Sequence, residues 1–337
     1  MPGFISTIIA SSALVGTAFC IFRNRQLFQR YIELRIRHEA QQRELTHLRF
    51  QFRRRAHIRE LRFQHHFDDG GTLFSGWNTG FFSVCTTLLW EISSLRQKEI
   101  HPKKLSFING FENYRDPQHI GIDIYPRLFR EENDAPIPVS EQWRALDHHG
   151  HYRNQQIALY AALAKRWLSP AEQIVALEQQ LVANLRLDPA RTVAVVYRGT
   201  DKTTEVELAP PQLYRDLAER EIEKLEGGRV LIQTDQKQVR DLFLRSFGER
   251  CVFFREMPVT SGERVLHLLS RDEIGLGRLE FAQHLLAATL AISRCHHIIN
   301  HTGNMALWIC LFRGNTTGVT QIDAHGEVVE SKFSDSI

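Results

Sequence analysis

Between residues 191 and 322, short runs of strand-forming residues alternate with helical patterns, and this rhythm constrains the fold more than any other feature of the chain. The run "TVAVVY" (192–197) leads through a charged loop to the helical stretch "PQLYRDLAEREIEKLEG". "RVLIQ" (229–233) leads through "TD" to "QKQVRDLFLRSFG", and "CVFFR" (251–255) through a long loop to "GRLEFAQHLLAATLAIS". "HHIIN" (296–300) leads through "HTGN" to "MALWICLFRG", and a last run, "TGVTQI" (317–322), closes the series. Apolar strands separated by helices dictate an α/β fold with a mostly parallel sheet and right-handed crossovers. Such sheets bind ligands beyond the carboxyl ends of their strands. Three polar segments then share one rim: "RGTDKTTE" (198–205), "TDQ" (234–236) and "HTGN" (301–304).

The residue types on that rim suit an anion. A guanidinium at Arg198, just past a buried strand, can hold phosphate oxygens bidentately, and Gly199 beside it allows close backbone approach. Thr302, Gly303 and Asn304 precede a helix whose first N–H groups and dipole favour negative charge. Thr234 and Asp235, on a third strand end, can accept from a sugar hydroxyl or a base edge. A structural reading fits the same residues: Thr302 and Asp235 are good N-caps, and Asp201 and Lys202 make ordinary loop charges. Spacing alone leaves both open.

The amino-terminal part is organised differently. Residues 2–22 carry no charge, and the nineteen from Phe4 to Phe22 would span about 28 Å as a helix, close to the bilayer core. No basic residue precedes the run, so a retained signal anchor over residues 1–22 fits better than a cleaved signal peptide. From Arg23 to Arg62 there are twelve Arg, four Glu and no Lys, which makes 23–67 a basic helical stem. Outside that segment 30 basic residues of 42 face 35 acidic of 39, a balance of −5, and a mildly acidic body argues against nucleic acid as a partner. Charge asymmetry across the span places the body in the cytoplasm; the alternative is a type II protein facing the Golgi lumen. The cysteines outside the span show no disulfide-framework spacing. A turn-rich break at 67–80 opens the folded body, and a boundary near 185 divides it into 68–185 and 186–337. Ser169-Pro170 reads as an N-cap with proline at the first helical position.

"VAVVYRGTDKTTE" resembles the first motif of the fucosyltransferases that form α1,6, α1,2 and protein O-linked fucose. "LIQTDQKQVRDLF" and "SRCHHIINHTGNMALWICLFRGN" are similar to the second and third motifs, in order, and "WNTGFFSVCTTLLWEI" looks like the glycine turn that opens their first helix. The resemblance implies a GT-B fold, two facing Rossmann-like domains, with the acceptor on 68–185 and the nucleotide sugar on 186–337. It implies an inverting, metal-independent glycosyltransferase that uses GDP-fucose or another nucleotide sugar, with no further cofactor and a glycan or glycoconjugate acceptor. Arg198 matches the donor-phosphate arginine, Asp235 a residue near the nucleoside, and Thr302, Gly303 and Asn304 the phosphate-contacting turn. Glu205 is the candidate base, oriented by Lys202 beside Asp201, with Glu207 second. The chain departs from the pattern at Val196, where the family has histidine, and at Gly199, where a second arginine is common.

Trp77, Asn78 and His149 are candidates on the acceptor side, and Phe81, Phe82 and Trp143 suit either sugar faces or a core. The stretch "DHHGHYR" (147–153) groups His148, His149 and His151, but no cysteine or HExxH-like helix accompanies it, so no metal site is assigned. A non-catalytic scaffold that binds glycan or nucleotide is the reading from outside the enzymes.

Overall fold

The protein is seen in a computed structural model, which describes residues 65–76, 79–132, 134–136, 143–200, 206–260 and 275–329. The expected anchor (1–22) and all but the last residues of the expected stem lie outside them, as do Trp77, Asn78, Asp201, Lys202 and Glu205. Among the described residues no helix is long and apolar enough to cross a membrane. They belong to one compact unit, Leu61–Ile337.

The amino-terminal half builds a small sheet. Strands β1 (His66–Phe67) and β2 (Thr72–Phe74) pair antiparallel, and helix α1 (Phe81–Gln97) carries the chain from β2 to its parallel neighbour β3 (Lys104–Ser106). Phe81 and Phe82 are 2% and 4% exposed. Phe81 packs against Phe111, Tyr114 and Phe129, and the Phe107 and Phe111 ring centroids lie 4.5 Å apart. Both residues therefore belong to the core and not to a sugar-binding face.

Beyond a helical turn at Tyr125–Leu128 come β4 (Phe129–Arg130), α2 (Ile157–Trp167), β5 (Ser169–Pro170) and α3 (Glu172–Asn184). Here the sequence expectation needs correction. Ser169 and Pro170 do not open a helix; they pair with Arg130 and Phe129 as strand β5. The Ser169 hydroxyl donates back to the Lys165 carbonyl at 2.8 Å, and Ala171 is the N-cap of α3. A strand partner some forty residues earlier outweighs the local cap signal.

The large sheet contains β6 (Thr192–Tyr197), β7 (Arg229–Thr234), β8 (Cys251–Val252), β9 (His297–His301), β10 (Val319–Ile322) and β11 (Val328–Val329). Its order is β11-β10-β9-β6-β7-β8, parallel throughout except for β11. All six residues of β6 are buried, as a central strand covered on both faces requires. Pleating sends alternate side chains to opposite faces. Val193, Val195, Tyr197, Ile232, Ile299 and Ile322 form one core with helices α4 (Pro211–Ile222) and α5 (Lys237–Phe247). Val196, Gln233, Asn300 and Gln321 point the other way.

Helices α6 (Arg278–Ser293) and α7 (Asn304–Arg313) complete the fold, and α7 packs against α1, α2 and α6. Trp308 of α7 is fully buried; its ring packs on Phe82, and its indole N–H donates to Thr86 at 3.0 Å. The last helix of the carboxyl half thus shares a core with the first helix of the amino half.

Candidate functional site at the switch point of the large sheet

From β6 the chain steps outward to β7 and β8, crosses back to β9 on the other side of β6, then steps outward to β10. The loops that leave β6 and β9 diverge, and the gap between two such strand ends is where open α/β sheets take ligands. A crevice of about 290 Å³, counted out to open solvent, lies there between Val196 and Arg198 on one side and residues 301–306 on the other. The structure therefore brings Arg198 together with Thr302, Gly303 and Asn304, four residues that the sequence places on one rim.

Arg198 is held from behind. Its Nε lies 3.8 Å from Oδ2 of Asp235, which follows β7 and is 3% exposed. The Asp235 carboxylate accepts from the Gly199 N–H at 2.9 Å and from the Thr200 hydroxyl at 2.7 Å. Both of its oxygens accept from the β6 loop, so Asp235 positions that loop. It is not a helix cap, because Gln236 is the N-cap of α5. Thr234 is buried, and its hydroxyl accepts from the Gln236 N–H at 3.2 Å. A Cβ at Gly199 would sit 2.6 Å from the Gln236 carboxamide, a flexible side-chain end that could move aside.

The other wall is the first turn of α7. Gly303 is its N-cap, at φ 152° and ψ 170°, a region that glycine occupies without strain. The Tyr152 hydroxyl accepts from the Gly303 N–H at 2.8 Å and donates to the Gly303 carbonyl at 2.9 Å. Tyr152 is 1% exposed, and burial pushes its phenol well above the ordinary range, so it stays neutral and serves both directions. The Thr302 hydroxyl donates to the His148 carbonyl at 2.9 Å and accepts from Gln321 Nε2 at 3.2 Å. The Thr302 side chain therefore does not cap α7. What the turn offers an anion is the N–H groups of Asn304, Met305 and Ala306, which have no intrahelical acceptor. Helix α6 shows the same preference satisfied internally: Asp116 accepts from the N–H groups of Arg278 and Leu279 at 2.9 and 3.3 Å.

The histidine stretch supports this wall through its backbone. The His148 and Gly150 carbonyls accept from Thr302 and Gln321, and the Tyr152 N–H donates to Gln321 Oε1 at 2.9 Å. The His148 and His149 ring centroids lie 4.1 Å apart, tilted at 48°, and the His149 N–H donates to Asp147. His149 does not line the crevice. Glu207 is exposed beyond the loop, and its N–H donates to the Ala324 carbonyl at 2.9 Å. Among the described residues no group of three His, Cys, Asp or Glu side chains is arranged to hold a metal ion. Sequence reasoning missed Tyr152 and Gln321, whose roles depend on partners about 150 or more residues away.

No family model matches the sequence, and no curated protein matches it. Among solved structures, the chain is similar to NodZ alpha-1,6-fucosyltransferase co-crystallized with GDP, at 12% identity and a TM-score of 0.46, covering 76% of this chain and 96% of that one. It is likewise similar to fucosyltransferase NodZ from Bradyrhizobium, at 12% identity and a TM-score of 0.47 over the same shares of the two chains.

Proposed function

We propose that the chain is a membrane-anchored glycosyltransferase of GT-B type that takes a sugar from a nucleoside diphosphate donor, GDP-fucose first among them, and passes it to a glycan or other hydroxyl acceptor. One observation carries the reading. Arg198 and the open first turn of α7 face one crevice at the switch point of a parallel sheet, from strands that meet there only in the folded chain. A guanidinium and a helix N-terminus on opposite walls suit a diphosphate, which carries charge on both phosphates, better than a single carboxylate. The sequence motifs supply the donor class, and Glu205 supplies the base.

In this mechanism the donor's diphosphate lies across the crevice. Glu205 removes the proton from the acceptor hydroxyl as the new glycosidic bond forms, and inversion follows from attack opposite the leaving group. Arg198 and the α7 N–H groups stabilise the charge that builds on the departing diphosphate, where preorganised donors act most strongly. The anchor at 1–22 would hold this chemistry at a membrane surface.

The test is diphosphate release by the full-length protein in detergent with a panel of nucleotide sugars. Turnover with GDP-fucose or a related donor supports the proposal. Binding without turnover turns the reading toward the non-catalytic scaffold, and neither binding nor turnover refutes both. Protease protection of intact membranes tests the cytoplasmic topology separately, because digestion only from the non-cytoplasmic face reverses it.

A further inference from the structure

Asp323 is the first residue after β10, at the same carboxyl rim of the large sheet as Arg198 and Thr302. Its side chain is 12% exposed. The carboxylate builds the turn that joins β10 to β11. Oδ1 accepts from the His325 and Glu327 N–H groups at 2.9 and 3.1 Å. The main chain closes the same turn, with the Asp323 N–H donating to the Glu327 carbonyl at 2.9 Å and the Gly326 N–H to the Asp323 carbonyl at 3.1 Å. Oδ2 lies 3.5 Å from Nε2 of His151.

That turn holds the far end of the loop that leaves β6. Its Ala324 carbonyl accepts from the Glu207 N–H at 2.9 Å. Gly326, at φ 76°, lies against the same segment, where a Cβ would approach the Glu207 carbonyl oxygen and the Ala209 nitrogen to 3.4 Å. Val206 and Ala209 are buried, so this end of the loop is packed as well as bonded. The near end is held by Asp235 through Gly199 and Thr200. Two aspartates, one after β7 and one after β10, thus fasten the loop on either side of residues 201–205. We infer that Asp323 is a positioning residue for this loop, and that the acceptor-proton step depends on it while donor binding does not. The division follows from the chain: Arg198 stands at the Asp235 end, and Glu205 precedes Glu207 by two residues. A general base must lie within hydrogen-bond reach of the proton it removes. The assignment rests on the glycosyltransferase reading, with Glu205 as base, and adds the residue that sets the loop carrying it.

Hydrogen exchange read by mass spectrometry on the full-length protein in detergent, with kcat, KM and calorimetric GDP binding on the same samples, provides the test. Asp323→Ala leaves the His325 and Glu327 N–H groups without their acceptor. Exchange across 206–209 should then quicken roughly tenfold, with β7 unchanged. The kcat for GDP-fucose, counted per GDP-binding site, should fall by roughly ten- to a hundredfold, with KM and the Kd for GDP unchanged. Asp323→Asn keeps an oxygen for both N–H groups and should restore exchange and kcat together. Asp323→Ser, whose hydroxyl makes the same turn more weakly, repeats the measurement should the alanine variant fail to fold. Exchange across 206–209 as slow as in the wild type overturns the positioning role, and so does a kcat per site that stays whole while exchange quickens. Loss of GDP affinity in step with kcat overturns it too, because donor binding would then depend on Asp323. Wild-type protein that neither binds GDP nor releases diphosphate from any donor overturns the nucleotide-sugar reading itself, and exchange still decides whether Asp323 holds the loop.

Discussion

Removing one oxygen from Tyr152 should reveal how firmly the first turn of α7 is held. In Tyr152→Phe the ring keeps its place in the core, so no cavity larger than the lost hydroxyl opens. Three backbone groups surround that hydroxyl: the Gly303 N–H, the Gly303 carbonyl and, at 3.2 Å, the His148 carbonyl. The Gly303 carbonyl still accepts from the Leu307 N–H at 2.9 Å, and the His148 carbonyl still accepts from Thr302 at 2.9 Å. Only the Gly303 N–H is left without an acceptor. One buried, unsatisfied donor costs about 1–3 kcal/mol, a large share of a typical domain stability of about 5–15 kcal/mol.

Tyr214 provides an internal control on the opposite face of the same sheet. It too is fully buried, but its hydroxyl has no partner. Tyr214→Phe removes an unsatisfied group, so it should be neutral or stabilising. Urea denaturation read by circular dichroism compares the two variants, with equal m values confirming that the denatured state is unchanged. The Tyr152 variant should be the less stable by about 2 kcal/mol or more. If the two variants lie within about 0.5 kcal/mol of each other, the ordinary spread for neutral changes, the hydroxyl does not organise the turn and the reasoning fails.

Three further outcomes are expected. Arg198→Ala should weaken pyrophosphate binding by about 1.5–3 kcal/mol, or roughly ten- to hundredfold, and Arg198→Lys should recover only part of it because an ammonium makes no bidentate contact; calorimetry that shows full affinity in the alanine variant removes Arg198 from the site. Alkaline pH should destabilise the fold through its buried thiols. Burial pushes Cys251, Cys295 and Cys310 up to about 12 and Cys85 well up, so the folded chain keeps protons that the unfolded chain releases. The resulting stability is present below the unfolded value near 9 and is lost as pH rises toward 12, at about 1.4 kcal/mol per pH unit for each thiol. A urea midpoint that stays flat from about pH 8.5 to 10.5 under reducing conditions contradicts this. Finally, excess EDTA should leave diphosphate release unchanged, and restoration of a lost rate by a divalent ion would overturn metal independence.

The parts legible in the sequence are those whose environment is uniform along the chain. β6 is buried on both faces for its whole length, so "TVAVVY" reads as a strand without help from any partner. The crevice was legible as far as strand ends can be ordered on one rim. What escaped is governed by distant partners. The N-caps of α1, α6 and α7 are Gly80, Gly277 and Gly303, none with a side chain to signal it, so the cap signal settled on Thr302. The stretch 147–152 invites attention to its histidine rings, whereas the crevice depends on the His148 and Gly150 carbonyls and on Tyr152. Residues 251–255 read as one strand, but pairing with β7 ends at Val252, a limit set by the neighbouring strand and invisible in the run itself.

The two walls of the crevice are organised by the same device. On one, the Asp235 carboxylate draws the Gly199 N–H and the Thr200 hydroxyl onto the end of β7. On the other, Tyr152, His148 and Gln321 fix Thr302 and Gly303 onto the end of β10. In each case a buried polar group ties the loop down internally, so the Arg198 side chain, beside Asp235, and the N–H groups of Asn304 to Ala306 are set in place by the fold. Donors fixed in advance need no reorganisation when charge develops, which is the condition for strong electrostatic stabilisation. The second set of supports comes from residues 148–152, well before the boundary near 185, although the turn they hold belongs to the carboxyl half. The first turn of α7 is therefore held by residues from both halves of the body.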